Sequence, residues 1–170
     1  DRLVPLVVAG MVGAQGIGYI TWSQSMSFLP LTLVNIIIRV SFPAFSRMQS
    51  DRASLALAVE KAIFVTTFFT YPMVFGLSAV MPSLVEYVVS SKWQPALASY
   101  YLFAIATLWS IVSTSLTNAL NAVGRIGVTL KLMIMWTALE WILTPILVFK
   151  FGFIGVGLAS FVISFSSVLA

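Results

Sequence analysis

The chain is predicted to be an all-α integral membrane protein, built as a bundle of long apolar helices. Three observations predict it. Charged residues make up 8% of the 170 positions, against roughly 25% in an ordinary soluble domain. Apolar residues make up 60%. The 9 basic and 5 acidic residues fall in narrow clusters, so that 3–38, 62–85, 93–124 and 151–170 carry no charge. Crossing roughly 30 Å of hydrocarbon takes about 20 apolar residues per helix, which these runs supply. A water-soluble bundle with a very apolar core is the competing architecture, disfavoured because so few charges would have to cover its whole surface. A β-barrel is disfavoured because the apolar runs are continuous instead of alternating.

Composition also narrows the function. The net charge of +4 comes from scattered residues and not from one basic face, so no nucleic-acid partner is expected. Cysteine and histidine are both absent, which removes disulfides, thiolate metal sites and the commonest general base. No cofactor is expected. Without histidine or paired carboxylates the chain is not expected to be an enzyme.

The first apolar segment, 1–13, is short, since Leu3 to Gly13 covers only about 16 Å as a helix. It reads as the second half of a span that starts upstream, and the chain as a fragment. After the glycines at 10, 13, 16 and 18, a second span runs over 17–46 with a kink at Pro30, which lipid-embedded helices tolerate. The polar connector 46–52 offers Ser50 or Asp51 as cap for the next helix. The third span covers 55–80, kinked near Pro72 and ended before Pro82.

The segment 82–95 reads as a short helix lying in the membrane interface, with Leu84, Val85, Val88 and Val89 at helical spacing. Trp93, Tyr100 and Tyr101 follow, residue types that favour the headgroup boundary. Further spans cover 97–121, 128–150 and 153–170. The glycines from Gly10 to Gly18, and Gly152, Gly155 and Gly157, are expected to allow close helix approach. The last three do not form a phosphate loop, because the strand and the lysine are missing.

Threading these spans back and forth puts Arg39, Arg47, Arg52, Lys61, Arg125 and Lys131 on one side and Lys92 and Lys150 on the other. The excess of basic residues marks the first side as cytoplasmic. Arg125 and Lys131 read as determinants of that topology more than as ligands.

Glu140 is the sharpest single residue, near the middle of the fifth span. An acidic side chain at that depth costs about 2.5–3.5 kcal/mol and should turn away from lipid. It is either a cation site, a proton-coupled carboxyl or a substrate contact, or else a structural partner for a basic or polar group. Arg39, in the cytoplasmic third of the second span, either holds a phosphate or carboxylate with its planar fork or snorkels to the headgroups. Asp1 shares the logic of Glu140 if the span continues upstream. Asn118, Asn121, Gln15 and Gln24 either line a polar cavity or hydrogen-bond helices together, the second being the safer reading for each. Asn118 is also carried as a candidate substrate contact.

Three stretches go beyond hydropathy. Gly18-Tyr19 opens a helix that continues through Phe28-Leu29-Pro30 to Arg39-Val40-Ser41-Phe42-Pro43-Ala44-Phe45-Ser46-Arg47 and Asp51. Lys92-Trp93-Gln94-Pro95-Ala96 and Asn121-Ala122-Val123-Gly124-Arg125 follow in order. Together they resemble the C-terminal half of bacterial polysaccharide flippases, of the multidrug/oligosaccharidyl-lipid/polysaccharide exporter superfamily. Ser90-Ser91 departs from the family, where a glycine is usual.

The resemblance implies twelve helices in two six-helix lobes around a cationic cavity, with this chain as the C-terminal lobe and the N-terminal lobe as its partner. It also implies that an undecaprenyl-diphosphate-linked oligosaccharide is flipped from the cytoplasmic to the outer leaflet of the bacterial inner membrane, with membrane lipid around it. Arginine in the cavity would offset the diphosphate charge. Pro30, Pro72 and Pro145 are candidate bending points. Two other readings stay open: a sodium- or proton-driven antiporter of the same superfamily, which Glu140 suits, and a membrane enzyme of the glycan pathway.

Overall fold

The computed structural model describes residues 3–48 and 51–169, which are helical and include no strand. Helix α1 spans Leu3–Phe28, α2 Leu31–Arg47, α3 Arg52–Leu84, α4 Ala96–Ala122, α5 Ile126–Phe151 and α6 Ile154–Leu169. A π-helical turn, Val85–Val89, and a 3₁₀ turn, Ser91–Trp93, join α3 to α4. Among the described residues three stretches are long and apolar enough to cross a bilayer: Ala53–Val89, Ala96–Ala122 and Ile126–Phe151. The all-helical class read from the charge distribution is the class observed.

Several boundaries differ from expectation, each for a local reason. Helix α1 is interrupted at Gly13, where φ is 69° and ψ 178°. Glycine reaches that positive φ without steric cost, so the break falls here. A Cβ added at Gly10 or Gly18 would meet nothing within 4 Å, so those two do not serve close helix approach. The single kinked helix expected over 17–46 is instead two helices, α1 and α2, separated by a turn at Leu29–Pro30. Pro30 lacks an N–H and has its φ preset, which suits the first turn of a new helix. The Leu29 carbonyl anchors that turn, accepting from the Thr32 N–H at 3.1 Å and from the Thr32 hydroxyl at 2.7 Å.

Helix α3 does not stop before Pro82, and no separate helix begins there. It runs through Pro72 and Pro82 to Leu84 and widens into the π turn. Proline at 82 cannot donate to the carbonyl of Ser78, one turn earlier. The Tyr101 hydroxyl donates to it instead, at 3.3 Å. Val85 is buried in the bundle while Val88 and Val89 are exposed, so the expected apolar face is divided. Tyr100, expected at a headgroup boundary, is a core residue with 1% of its surface exposed. At the start of α3 the Asp51 carboxylate accepts from the Ala53 and Ser54 amides at 3.1 and 3.3 Å. The Ser54 hydroxyl also donates to it, and these bonds lower its pKa from the usual 3.8. The other candidate cap, Ser50, lies outside the described residues.

Helix α4 is the hub. It packs against α6, α1, α3, α2 and, less extensively, α5, and it supplies Ala96, Tyr100, Phe103, Ala104, Ala106 and Ile111 to the core. Hydroxyl groups stitch it to three of those neighbours. Ser23 and Ser27 of α1 donate to the carbonyls of Ala96 and Tyr100 at 2.9 and 3.1 Å. Tyr71 of α3 donates to the Leu108 carbonyl at 3.2 Å, and Ser110 and Ser164 of α6 share a bond at 3.1 Å. Such small hydroxylated residues let helices approach and bond where lipid gives no hydrophobic drive. The turn from α5 into α6 is tight because Gly155 has no side chain: a Cβ there would collide with the Leu147 carbonyl.

The bundle has two distinct ends. Trp93, just before α4, stacks on Trp22 with ring centroids 5.4 Å apart and meets Tyr19 edge-on at 5.9 Å. Tyr19 also meets Phe153, at the head of α6, at 5.3 Å. Lys92 sits over the Trp93 ring at 5.7 Å. At the opposite end Leu55, Leu120, Val128 and Val168, from α3, α4, α5 and α6, surround one cavity. From Trp22 toward Arg47, α1 and α2 therefore follow one traverse of the bundle, broken midway at Leu29–Pro30.

Candidate functional site

The broken traverse is two-faced. On α1 beyond Gly13, Gly16, Ile20, Ser23 and Ser27 are buried, while Ala14, Thr21, Ser25 and Phe28 are exposed. Steps of three, four and seven residues put each set on one stripe of a 3.6-residue helix, on opposite sides. On α2, Val34 and Phe45 are buried, while Thr32, Asn35, Ile36, Arg39 and Pro43 form the exposed stripe. The uncovered faces of the traverse thus carry three hydroxyls, an amide and a guanidinium around a helix break. Ser25 and Thr32 spend their hydroxyl protons on the backbone carbonyls of Thr21 and Leu29. Asn35 and Arg39 make no hydrogen bond or ion pair with another described residue.

The other uncovered faces are different in kind. Phe64, Phe68, Phe69 and Phe75 cover the outside of α3, and Ile134, Ile142, Ile146 and Phe149 that of α5. These are surfaces for acyl chains. The uncovered traverse that bears Arg39 differs from these, since exposing a full charge to hydrocarbon is costly, although Phe28 and Ile36 are also exposed on it.

The structure places the residues singled out in the sequence in separate surroundings. Arg39 stands on the polar stripe of α2, two turns before Arg47. Asn118 lies on α4 and donates from Nδ2 to the Thr114 carbonyl of its own helix at 2.8 Å. Glu140 is half-buried on α5, with Trp136 one turn before it and the buried Thr144 one turn after. It has no hydrogen bond or ion pair with another described residue. The Trp136 Nε1 and the Thr129 hydroxyl, on the same seam, are buried without a partner among the described residues. Helix α2 packs on α3 and α4, whereas α5 packs on α6, α1 and α4, so Arg39 and Glu140 are not brought together. Asp1 lies outside the described residues.

Sequence reasoning passed over Asn35, Thr21, Ser25 and Thr32. Their signal was present as four-residue spacing, Thr21 to Ser25 and Asn35 to Arg39, on either side of Pro30. Gln15, weighed there as glue between helices, donates instead to Tyr19 of its own helix at 2.8 Å.

Comparison with known proteins gives the context for this surface. A sequence model described as "polysaccharide biosynthesis protein" matches residues 1–98, which include α1, α2 and α3. The Escherichia coli K12 lipopolysaccharide biosynthesis protein WzxC is 28% identical over 139 residues, 81% of this chain and 28% of its own length. An uncharacterized membrane protein of the cps region of Klebsiella pneumoniae is 26% identical over 126 residues, 74% of this chain and 26% of its own. The Bacillus subtilis teichuronic acid biosynthesis protein TuaB is 21% identical over 121 residues, 71% of this chain and 25% of its own. The chain thus spans about a quarter of the length of the curated relatives it matches. No solved structure matches it. Its apolar helices and these relatives make it a multi-pass membrane protein. By the match over more than half of its residues, the chain belongs to the polysaccharide biosynthesis protein family.

Proposed function

We propose that this chain is the C-terminal six-helix lobe of a twelve-helix, two-lobe flippase of the bacterial inner membrane. Its substrate in this reading is an undecaprenyl-diphosphate-linked oligosaccharide, moved from the cytoplasmic to the outer leaflet for polysaccharide biosynthesis. One observation carries the reading: the broken traverse of α1 and α2 leaves Thr21, Ser25, Thr32, Asn35 and the cationic Arg39 uncovered on its outer faces, beside exposed Phe28 and Ile36. Discontinuous helices are tolerated at membrane depth where they are buried in protein or line a cavity, and at this break Pro30 is buried while Leu29 is exposed. An N-terminal lobe facing this stripe would close such a cavity around it.

The chemistry of the step asks for little else. A diphosphate and its sugars cannot cross hydrocarbon unaided, and no bond is made or broken in moving them. Arg39 offers a fork of donors to phosphate oxygens, and Asn35, one turn away, offers an amide to sugar hydroxyls or phosphate. The break at Leu29–Pro30 lets the two halves of the traverse tilt independently as the lobes rock. The basic end, with Arg47, Lys61, Arg125 and Lys131, faces the cytoplasm in this reading, and the aromatic end with Lys92 and Lys150 faces outward.

Arg39→Ala tests it. Losing a charge-assisted bond to phosphate should weaken substrate use by roughly tenfold or more, with membrane abundance unchanged and Arg39→Lys intermediate. Export of lipid-linked glycan in cells complemented with each variant is the measurement. Wild-type export by Arg39→Ala would remove this residue from the site.

A second reading, a cation-coupled antiporter, is favoured by one observation: the half-buried Glu140 carboxyl has no described partner. On that reading Glu140→Gln shifts the pH or sodium dependence of transport. If only the melting temperature of the purified protein falls, Glu140 is structural.

A further inference from the structure

At the basic end of the bundle a cavity of about 480 Å³ opens between α3, α4, α5 and α6. Its walls are Leu55, Leu116, Leu120, Val128, Leu132 and Trp136, with the hydroxyls of Ser113, Thr117 and Ser167 as the polar exceptions. The size falls within the roughly 300–1,000 Å³ typical of small-ligand sites. It lies apart from the polar stripe of α1 and α2, none of whose residues lines it.

Charge selects the occupant. Arg125 sits between two wall segments, after Val123 and before Val128, and its N–H donates to the carbonyl of Leu120 at 2.9 Å. Its side chain is exposed, as is that of Lys131, beside Leu132 of the wall. Neither makes an ion pair with a described residue. The acidic groups of this end are Asp51, which spends its oxygens capping α3, and the exposed Glu60, one turn further along α3 than Leu55. An apolar chamber whose wall residues are flanked in sequence by the exposed Arg125 and Lys131, at the end that faces the cytoplasm in the proposed topology, matches one molecule class: an anionic phospholipid.

We infer that this cavity is a binding site for an anionic phospholipid, which inserts an acyl chain between α3 and α5 and sets its phosphate against Arg125 and Lys131. Basic pockets between transmembrane helices at the cytoplasmic side hold anionic headgroups in this way. The site does not depend on what the protein transports.

Trp136 in the wall makes the site readable. The protein is placed in phosphatidylcholine vesicles doped with brominated-acyl phosphatidylglycerol or brominated-acyl phosphatidylcholine. Quenching lost on Trp136→Phe reports lipid in the cavity, separately from the other indoles. Brominated phosphatidylglycerol is expected to associate roughly fivefold more tightly than its phosphatidylcholine counterpart for each cation engaged. Arg125→Gln and Lys131→Gln should each reduce that preference, and Lys92→Gln at the far end should leave it intact. Equal quenching by the two lipids, no quenching assignable to Trp136, or a preference that survives both substitutions would overturn the assignment.

Discussion

Pro82 shows at the residue scale how this bundle tolerates what should break it. Its ring removes the N–H that would bond Ser78, yet α3 continues because the Tyr101 hydroxyl arrives from α4. Tyr101→Phe should cost about 0.5–1 kcal/mol, the worth of one net hydrogen bond between helices in a membrane protein. In a Pro82→Ala background the backbone itself supplies the donor, so the same change should then cost close to nothing. Thermal unfolding of the four proteins in detergent closes this double-mutant cycle. Equal costs in both backgrounds would mean that the tyrosine acts elsewhere. None of this could be read from residue order, because the partner of Ser78 lies 23 positions away on another helix. What the sequence did show at this scale was chemical type: Asp51 as a cap, and Arg39 and Glu140 as charges needing an explanation.

At the scale of elements, the length of the charge-free apolar runs located the helices while tertiary bonding set their ends. The charge-free runs are apolar almost all round, so they mark length but not which face is buried. Helix α4 illustrates the gap. It reads as one more apolar span, but its small residues let all five other helices pack on it, and neighbours donate to its carbonyls at Ala96, Tyr100 and Leu108. Ser23 and Ser27, fully buried on α1, were hidden among unremarkable polar residues. Replacing both by Ala should lower stability by about 1–2 kcal/mol in total and loosen α1 from α4. Denaturant unfolding measures the first and hydrogen exchange of the α1 amides the second. A stable, equally protected double variant would show that packing alone holds this interface. The Leu29–Pro30 break is the converse case. Proline announced a perturbation, and only the structure distinguished a kink from two helices.

At the scale of the whole molecule, the class was legible because lipid imposes a coarse rule: few charges, grouped at turns. The family was legible in three stretches, 18–51, 92–96 and 121–125. The candidate site was legible in part. Arg39 stood out by charge, but its polar companions Thr21, Ser25, Thr32 and Asn35 acquire meaning only once one knows which faces of α1 and α2 are left uncovered. Glu140, equally prominent in sequence, belongs to a different seam. The central claim is that alternating traverses carry the basic end and the aromatic end to opposite sides of one bilayer. The chain contains no cysteine, so single Arg125→Cys and Lys92→Cys substitutions can be probed in intact cells with a membrane-impermeant maleimide. The account predicts labelling at position 92 from outside and labelling at position 125 only after the membrane is opened. Labelling of both from the same side would contradict it.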